Sequence, residues 1–480
     1  MRRRTFLKHG AVSLGLLGAH SLFAIPPAVW AGEYERFKRD LPVPPLLESL
    51  ADDKGTARFS LKATRGESQL IDDFTTPTMG YNGNYLGPTI RVRNGQKVHV
   101  EVTNELGEKT TVHWHGLHVP AEFDGGPRQI ILPDAVWNPQ FTIKQPAATL
   151  WYHPHAMGLT GEHVYMGLAG MFYIDDAVSD SLDIPKKYGV DDFPVILQDR
   201  RFFQDGNLAY VQSMMDVMHG VIGNIMLVNG VEWPNLNVAG GMVRLRLLNG
   251  SNGSLYRIRF SDNRAFNQIA TDGGFMEAPV SLTEVELSPG ERSEILVDFS
   301  NDSAASTVML VVDQLPGGQY EAMQFTIGEP VAKYHNIPEK LTEIEWLNEK
   351  DAVRTRQMQM QTFSEGGRLT INGKHMDMNR IDEKIQLGST EIWEVSNYSG
   401  GMMQMIHSMH LHDVQFQILD RNGRKPDPRE RGRKDTVLIY PNETVRIIAR
   451  FEDYTGIYMY HCHLLEHEDG GMMGQFEVVK

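Results

Sequence analysis

The run His461-Cys462-His463-Leu464-Leu465-Glu466-His467-Glu468-Asp469-Gly470-Gly471-Met472 sets the chain's only cysteine between two histidines, with a third histidine five residues on and a methionine ten on. A thiolate, an imidazole and a thioether at that spacing, joined by one imidazole from elsewhere, make up the ligand set of a blue-copper electron-transfer centre. Neighbouring side chains on an extended strand face opposite ways, so His461 and His463 turn together to the other side, where they could hold different metals. One cysteine then joins two redox centres through covalent bonds. Zinc or a buried free thiol is the alternative, but zinc favours several cysteines or a closed His/Cys set and has no use for a thioether.

Three further clusters supply imidazoles: His113-Trp114-His115-Gly116, Trp151-Tyr152-His153-Pro154-His155 and His407-Ser408-Met409-His410-Leu411-His412. Each His-x-His pair places two imidazoles on one face of a strand, the arrangement a polynuclear site between two sheets requires. The four clusters hold ten of the 18 histidines. A single pair could be a titrating surface pair or a satisfied core pair. Four pairs in two distant regions, with a cysteine and a methionine, indicate metal.

In this order and at these ends of the chain, the motifs resemble those of the multicopper oxidases, a family that includes laccases, bilirubin oxidases, spore-coat laccases and bacterial cuprous oxidases. The resemblance covers nearly the whole chain beyond its N-terminal segment. It implies four copper ions. His407, Cys462, His467 and Met472 would bind the type 1 copper, and His113 and His410 the type 2 copper. His115, His153, His155, His412, His461 and His463 would bind the type 3 pair. An axial Met472, in place of a non-coordinating Leu or Phe, implies a modest potential.

Such a set separates two tasks. Dioxygen needs four electrons to become two waters, so one-electron donors require one centre that accepts electrons and another that stores them and binds oxygen. Oxygen reduction also consumes protons, and the resemblance points to Asp124 and Glu468 as donors or relays. A turn aspartate before Gly-Gly, or a surface acid beside His467, is the plainer alternative for each. Asp435 is a candidate to orient a copper ligand.

The N-terminus reads as an address. Arg2-Arg3-Arg4-Thr5-Phe6-Leu7-Lys8 precedes an apolar stretch from Ala11 to Ile25, with a plausible cleavage after Ala31. The pattern resembles a twin-arginine export signal, implying passage through that machinery and a periplasmic or extracytoplasmic protein. The stretch is too short to span a membrane, and none is expected in the mature chain. Export in the folded state accords with a lone cysteine that can form no internal disulfide. The net charge is -15, and removal of residues 1–31 makes it -19. That excess of acid argues against nucleic-acid binding. The basic run from Arg421 to Lys434 is interrupted by acids and reads as a solvated loop.

Internal repetition sets the architecture. A turn and an alternating strand recur at Gly95–Asn104, Gly241–Asn249 and Gly388–Asn397, spaced 146 and 147 residues apart. A second echo links Glu294–Phe299 to Val445–Phe451. Short alternating strands with Gly, Pro and Asn turns predict an all-β chain of three consecutive Greek-key β-sandwiches. In this family these are cupredoxin-like domains, expected at 32–180, 190–330 and 340–480, after a signal segment 1–31. Every implied ligand lies in the first or third, so the trinuclear cluster belongs at their interface. The middle domain reads as a spacer and part of the substrate face. The other histidines, including His99, His118, His163, His219, His335 and His375, are expected at the surface or in hydrogen bonds.

The electron donor is the open question. Eleven of the 24 methionines lie between Met358 and Met473, with Met403 and Met405 just upstream of His407. Their thioethers could capture cuprous ion, pack adaptably or line a pocket for aromatic donors. Met358, Met360, Met376 and Met378 alternate as core strand residues would, and Met214, Met215 and Met218 read as a second patch or a helix face. Periplasmic cuprous oxidases resemble the chain at Met376–Ile381, but they typically carry a long Met/His-rich insertion and an acid near Met403, both missing here. A monomeric oxidase of cuprous ion, phenols or both, with dioxygen as acceptor, is the leading reading. A non-catalytic cupredoxin scaffold of the envelope is a second, but relatives of that kind lose ligands and this chain lacks none. A copper carrier needs only the type 1 site. A nitrite reductase generally has two domains and no type 3 pair.

Overall fold

The repeated turn-and-strand segments form Lys97–Glu105, Met242–Asn249 and Thr390–Asn397 in the computed structural model, which describes residues 35–51, 55–331, 335–364, 368–397 and 405–480. Each runs parallel to the first long strand of its unit: Ala57–Ser68, Asp192–Arg200 and Ala352–Ser364. The second echo is also structural, because Arg292–Asp298 and Thr444–Arg450 lie antiparallel to the repeat strand in their own units. The signal segment expected at 1–31 and Met403 lie outside the described residues.

Six sheets follow from this threefold pattern, two from residues 50–175, two from 192–330 and two from 352–479. Non-sequential strand neighbours within each pair give Greek-key connections. The fold is all-β, with three consecutive cupredoxin-like sandwiches. In Lys97–Glu105 the alternation turns Val98, Val100 and Val102 inward and Lys97, Glu101 and Glu105 outward, the period-2 pattern of a sheet with one wet face. Three main cores result, centred on Trp114 and Phe172, on Phe260 and Phe325, and on Trp393 and Phe476.

Several strands depart from alternation, and two of them carry histidine pairs. His113–His115 and His407–Leu411 are buried at every position, because the first and third sandwiches face each other across them. His118 spans the same junction, its ring nitrogens 2.9 Å from Asp413 and 3.1 Å from Asp453. The middle sandwich is tied to the first through buried pairs: Arg246 donates to the Thr149 hydroxyl at 2.8 Å, and Thr149 donates to Glu294 at 2.6 Å.

Two expectations change here, and a third is met by its helix-face alternative. Met358 and Met360 are core strand residues, but Met376 and Met378 sit in a loop between strands. The basic run is not wholly solvated, since Lys434 is buried and held by Asp272 at 2.8 Å and Glu291 at 3.0 Å. Met214–His219 is a helix that leaves Met214 exposed and turns Met218 into the core of the third sandwich. No helix among the described residues is long and apolar enough to cross a membrane.

Candidate metal centres

Strand register brings the histidines together. His113 pairs with His153 across neighbouring strands, and His410 pairs with His461. Met409 pairs with Cys462 on the opposite face, so the Cys462 sulfur turns away from His461 and His463 as alternation requires. Eight imidazoles, those of His113, His115, His153, His155, His410, His412, His461 and His463, then meet between the first and third sandwiches, all buried.

Within that cluster the ring nitrogens converge. The Nε2 atoms of His155, His412 and His461 lie 3.1 to 3.2 Å from one another. The Nε2 atoms of His113 and His410 are 3.5 Å apart, and His115 Nδ1 is 3.3 Å from His153 Nε2. His463 Nδ1 and Nε2 have no hydrogen-bond partner, although its ring centroid is 4.9 Å from that of His115. Buried nitrogens without donors facing them would be costly in an apolar core. A cation among them removes that cost, so the donor set fits a metal.

The outward nitrogens explain which atom is free to bind. Nδ1–H donates to a carbonyl in His113 (Asp124, 2.8 Å), His153 (Pro154, 2.8 Å), His410 (Asp435, 2.8 Å) and His461 (Cys462, 3.0 Å). Each leaves its Nε2 lone pair facing inward. His115 is reversed: its Nε2–H donates to the Asp435 carboxylate at 3.0 Å, which frees Nδ1. Burial holds every ring neutral, lowering His113 to about 3 and His461 to about 4.

The two acids selected from the sequence as proton donors touch the cluster as well. Asp124 Oδ2 accepts from His412 Nδ1 at 2.8 Å. Glu468 lies in a short helix, Leu465–Asp469, its oxygens 3.1 Å from His155 Nδ1 and 3.2 Å from His461 Nδ1 without hydrogen-bond alignment. Burial raises both carboxyls well above their usual range, which favours the protonated form. Gly125 fixes the turn after Asp124: its φ is +78°, and a Cβ there would sit 1.7 Å from the Val112 carbonyl oxygen.

A separate pocket surrounds Cys462. Its sulfur is 3.5 Å from His407 Nδ1 and 3.5 Å from His467 Nδ1. Met472 is fully buried in the same core, and its carbonyl accepts the Cys462 N–H at 3.0 Å. Burial pushes the thiol up to about 12, so a bound cation would be needed to hold it as thiolate at neutral pH. Met405 is buried in the third core.

The middle sandwich does more than space the others. The Met218 carbonyl accepts His467 Nε2–H at 2.8 Å, which leaves His467 Nδ1 for the sulfur side. Arg292 holds the Asp435 carboxylate with both terminal nitrogens, at 2.7 and 2.5 Å. Its remaining N–H groups reach the carbonyls of Thr149 (3.1 Å), Gly290 (3.0 Å) and Asp272 (3.0 Å). All five guanidinium donors are therefore used. Burial pushes the Asp435 carboxyl up and Arg292 draws it back, so the acid that receives His115 is held by a residue of the middle sandwich. Sequence reasoning missed Arg292, because a lone arginine at the start of a strand carries no spacing motif.

Three cupredoxin-like sandwiches with a Cys/His pocket beside an imidazole cluster define a class of copper protein. Family profiles described as multicopper oxidase match residues 62–179 and 348–480. Multicopper oxidase mco of Staphylococcus aureus is 37% identical, covering 92% of this chain and 93% of its own. A laccase structure from Pediococcus acidilactici superposes with a TM-score of 0.84 at 39% identity, covering 94% of this chain and 96% of its own. Cell division protein FtsP of Salmonella typhimurium is 36% identical, over 99% of this chain and 98% of its own. The chain belongs to the multicopper oxidase family.

Proposed function

We propose that this chain is a copper-dependent oxidase, exported folded to the periplasm, that takes electrons singly from a reducing substrate and passes them to dioxygen. In this reading His407, Cys462, His467 and Met472 hold a type 1 copper. His113 and His410 hold a type 2 copper, and His115, His153, His155, His412, His461 and His463 hold a type 3 pair. The copper ions would supply one-electron acceptance at the first centre and four-electron reduction of dioxygen to water at the other three.

The observation that carries this reading is the position of Cys462. Its sulfur faces His407 and His467 while the residues on either side of it join the imidazole cluster. The route between the two regions is a single covalent segment of strand. Asp124 and Glu468 stand where protons are consumed, each beside outward ring nitrogens and held toward the protonated form by burial. The domain division at 32–180, 190–330 and 340–480 belongs to the same proposal.

Cuprous ion and phenols are both retained as donors. Met405 is buried rather than presented to solvent, which favours a role in packing beside His407 over open capture of an ion. A second reading, a scaffold of the cell envelope without turnover, is favoured by similarity to a relative named as a cell division protein. Oxygen uptake by the copper-loaded protein separates them, with cuprous ion, dimethoxyphenol and bilirubin compared as donors. Uptake with water as product is expected. No uptake with any donor, in a preparation that has bound its copper, would refute the oxidase.

A further inference from the structure

One small apolar cluster is almost entirely methionine. Met376, Met459 and Met473 are buried, Met157 and Met378 are half-buried, and Ile457 is the only other member. Methionine makes up 24 of the 480 residues, so composition alone would not gather five in one place. Packing alone would favour Leu or Ile, whose rotamers are better defined than those of a flexible thioether. Five thioethers offer what five leucines cannot, which is soft sulfur donors that select cuprous ion over harder cations.

The backbone around these side chains is fastened. Met376 N–H donates to the Gly471 carbonyl at 3.0 Å, and Arg128 donates to the Met378 carbonyl at 2.5 Å. The Gln475 amide donates to the carbonyls of Asp377 at 3.0 Å and Arg380 at 2.7 Å. The other three methionines sit on segments that carry cluster histidines. Met459 precedes His461 by two residues on the same strand face, Met473 pairs with His461 across strands, and Met157 follows His155 by two. A Cβ placed on Gly126 would lie 3.7 Å from Met459 Cγ and 3.4 Å from Asp124 Oδ2, so the sulfur-rich group adjoins the acid that holds His412. Met157 and Met378 leave its outer side open to solvent. Met405 belongs to a different core.

We propose that Met157, Met376, Met378, Met459 and Met473 form a binding site for one soft monovalent cation, chemically cuprous ion, separate from the Cys462 pocket and outside the imidazole cluster. The site does not depend on the oxidase reading, because its occupancy is measured without turnover. Silver(I), a closed-shell soft cation, is the probe. Copper-loaded wild type is brought to dialysis equilibrium with silver(I) beside the double variant Met376→Leu/Met378→Leu and the control Met405→Leu, since Met-to-Leu exchange nearly conserves volume. Wild type and Met405→Leu are expected to hold about one more silver ion per chain than the double variant, with copper content and blue absorption equal in all three. Equal silver in the double variant and wild type, or none in either, overturns the site. Should the double variant fail to retain copper, silver-soaked crystals of the wild type decide the matter. An anomalous peak among the five sulfurs is then required, and a map without one refutes the proposal.

Discussion

Around the eight-imidazole cluster three carboxylates, those of Asp124, Asp435 and Glu468, reach ring nitrogens that point away from the centre. Around Cys462 no carboxylate hydrogen-bonds His407, Cys462 or His467 among the described residues, and the outward nitrogen of His467 meets the Met218 carbonyl instead. The difference matches the two tasks proposed for these regions. A centre that only accepts and passes an electron gains from a dry, uncharged wall that keeps solvent out. A centre that reduced oxygen, as proposed for the cluster, would also have to receive protons, and acids beside its histidines would provide them. The two regions differ in assembly as well. The side chains of the Cys462 pocket come from one sandwich, to which the middle one adds the Met218 carbonyl, while the cluster draws its histidines from two and depends on Arg292 of the middle one.

Cys462→Ser breaks the comparison most completely. Loss of all blue absorption and of measurable oxygen uptake is expected, with a folded protein that still holds its other copper. Retained oxygen uptake would show that electrons do not pass through this residue.

Arg292→Leu tests dependence on the middle sandwich. Leaving Asp435 buried without its partner should cost about 3–5 kcal/mol of stability. Because the Asp435 carbonyl also receives His410, assigned to the type 2 copper, at 2.8 Å, the type 2 electron paramagnetic resonance signal should change or disappear while blue absorption remains. Arg246→Leu removes an equally buried arginine paired with Asp192 and serves as the control. If both variants leave the type 2 signal alike, Arg292 is only structural.

Glu468→Gln sharpens the proton side. The carboxyl lies near His155 and His461, so turnover should fall about a hundredfold with copper content and blue absorption unchanged. Equal turnover in the variant, measured across pH, would remove Glu468 from proton delivery.

The smallest effect concerns the junction that holds the cluster. Burial opposes the charged form of His118, but Asp413 and Asp453 outweigh it and raise the imidazole to about 9. A raised folded value gives stability that is full below the ordinary value of about 6.5 and is lost as pH rises through 9. His118→Gln should therefore lower the unfolding temperature at pH 7, by the equivalent of about 1.5–3 kcal/mol, and much less at pH 10. A gap that stays constant between those two pH values would show that the charge on His118 does not contribute.

Much of this arrangement was legible before any coordinates, for a physical reason. Metal ligands must be particular residue types, and strand alternation ties their spacing to a shared face, so His-x-His and His-Cys-His report geometry directly. The repeats at Gly95, Gly241 and Gly388 were legible in the same way, because each marks the same strand of a recurring sandwich. Contacts between distant segments left no such trace. Arg292 reaches Asp435 across 143 residues, and nothing in its local pattern indicates the partner. The solvated reading of the basic run missed Lys434 for the same reason, since its acids, Asp272 and Glu291, belong to another sandwich. Met376 and Met378 alternate as strand residues would, yet the segment docks by its backbone on Gly471 and Gln475.

Counting copper in the reconstituted wild-type chain tests the central proposal most directly. Copper per chain is measured together with the blue absorption and the type 2 paramagnetic signal on one preparation. Four copper ions, with both signals present, are the expected result of one Cys462 pocket and one eight-imidazole cluster. A folded, fully reconstituted chain holding a single copper, or none, would contradict it.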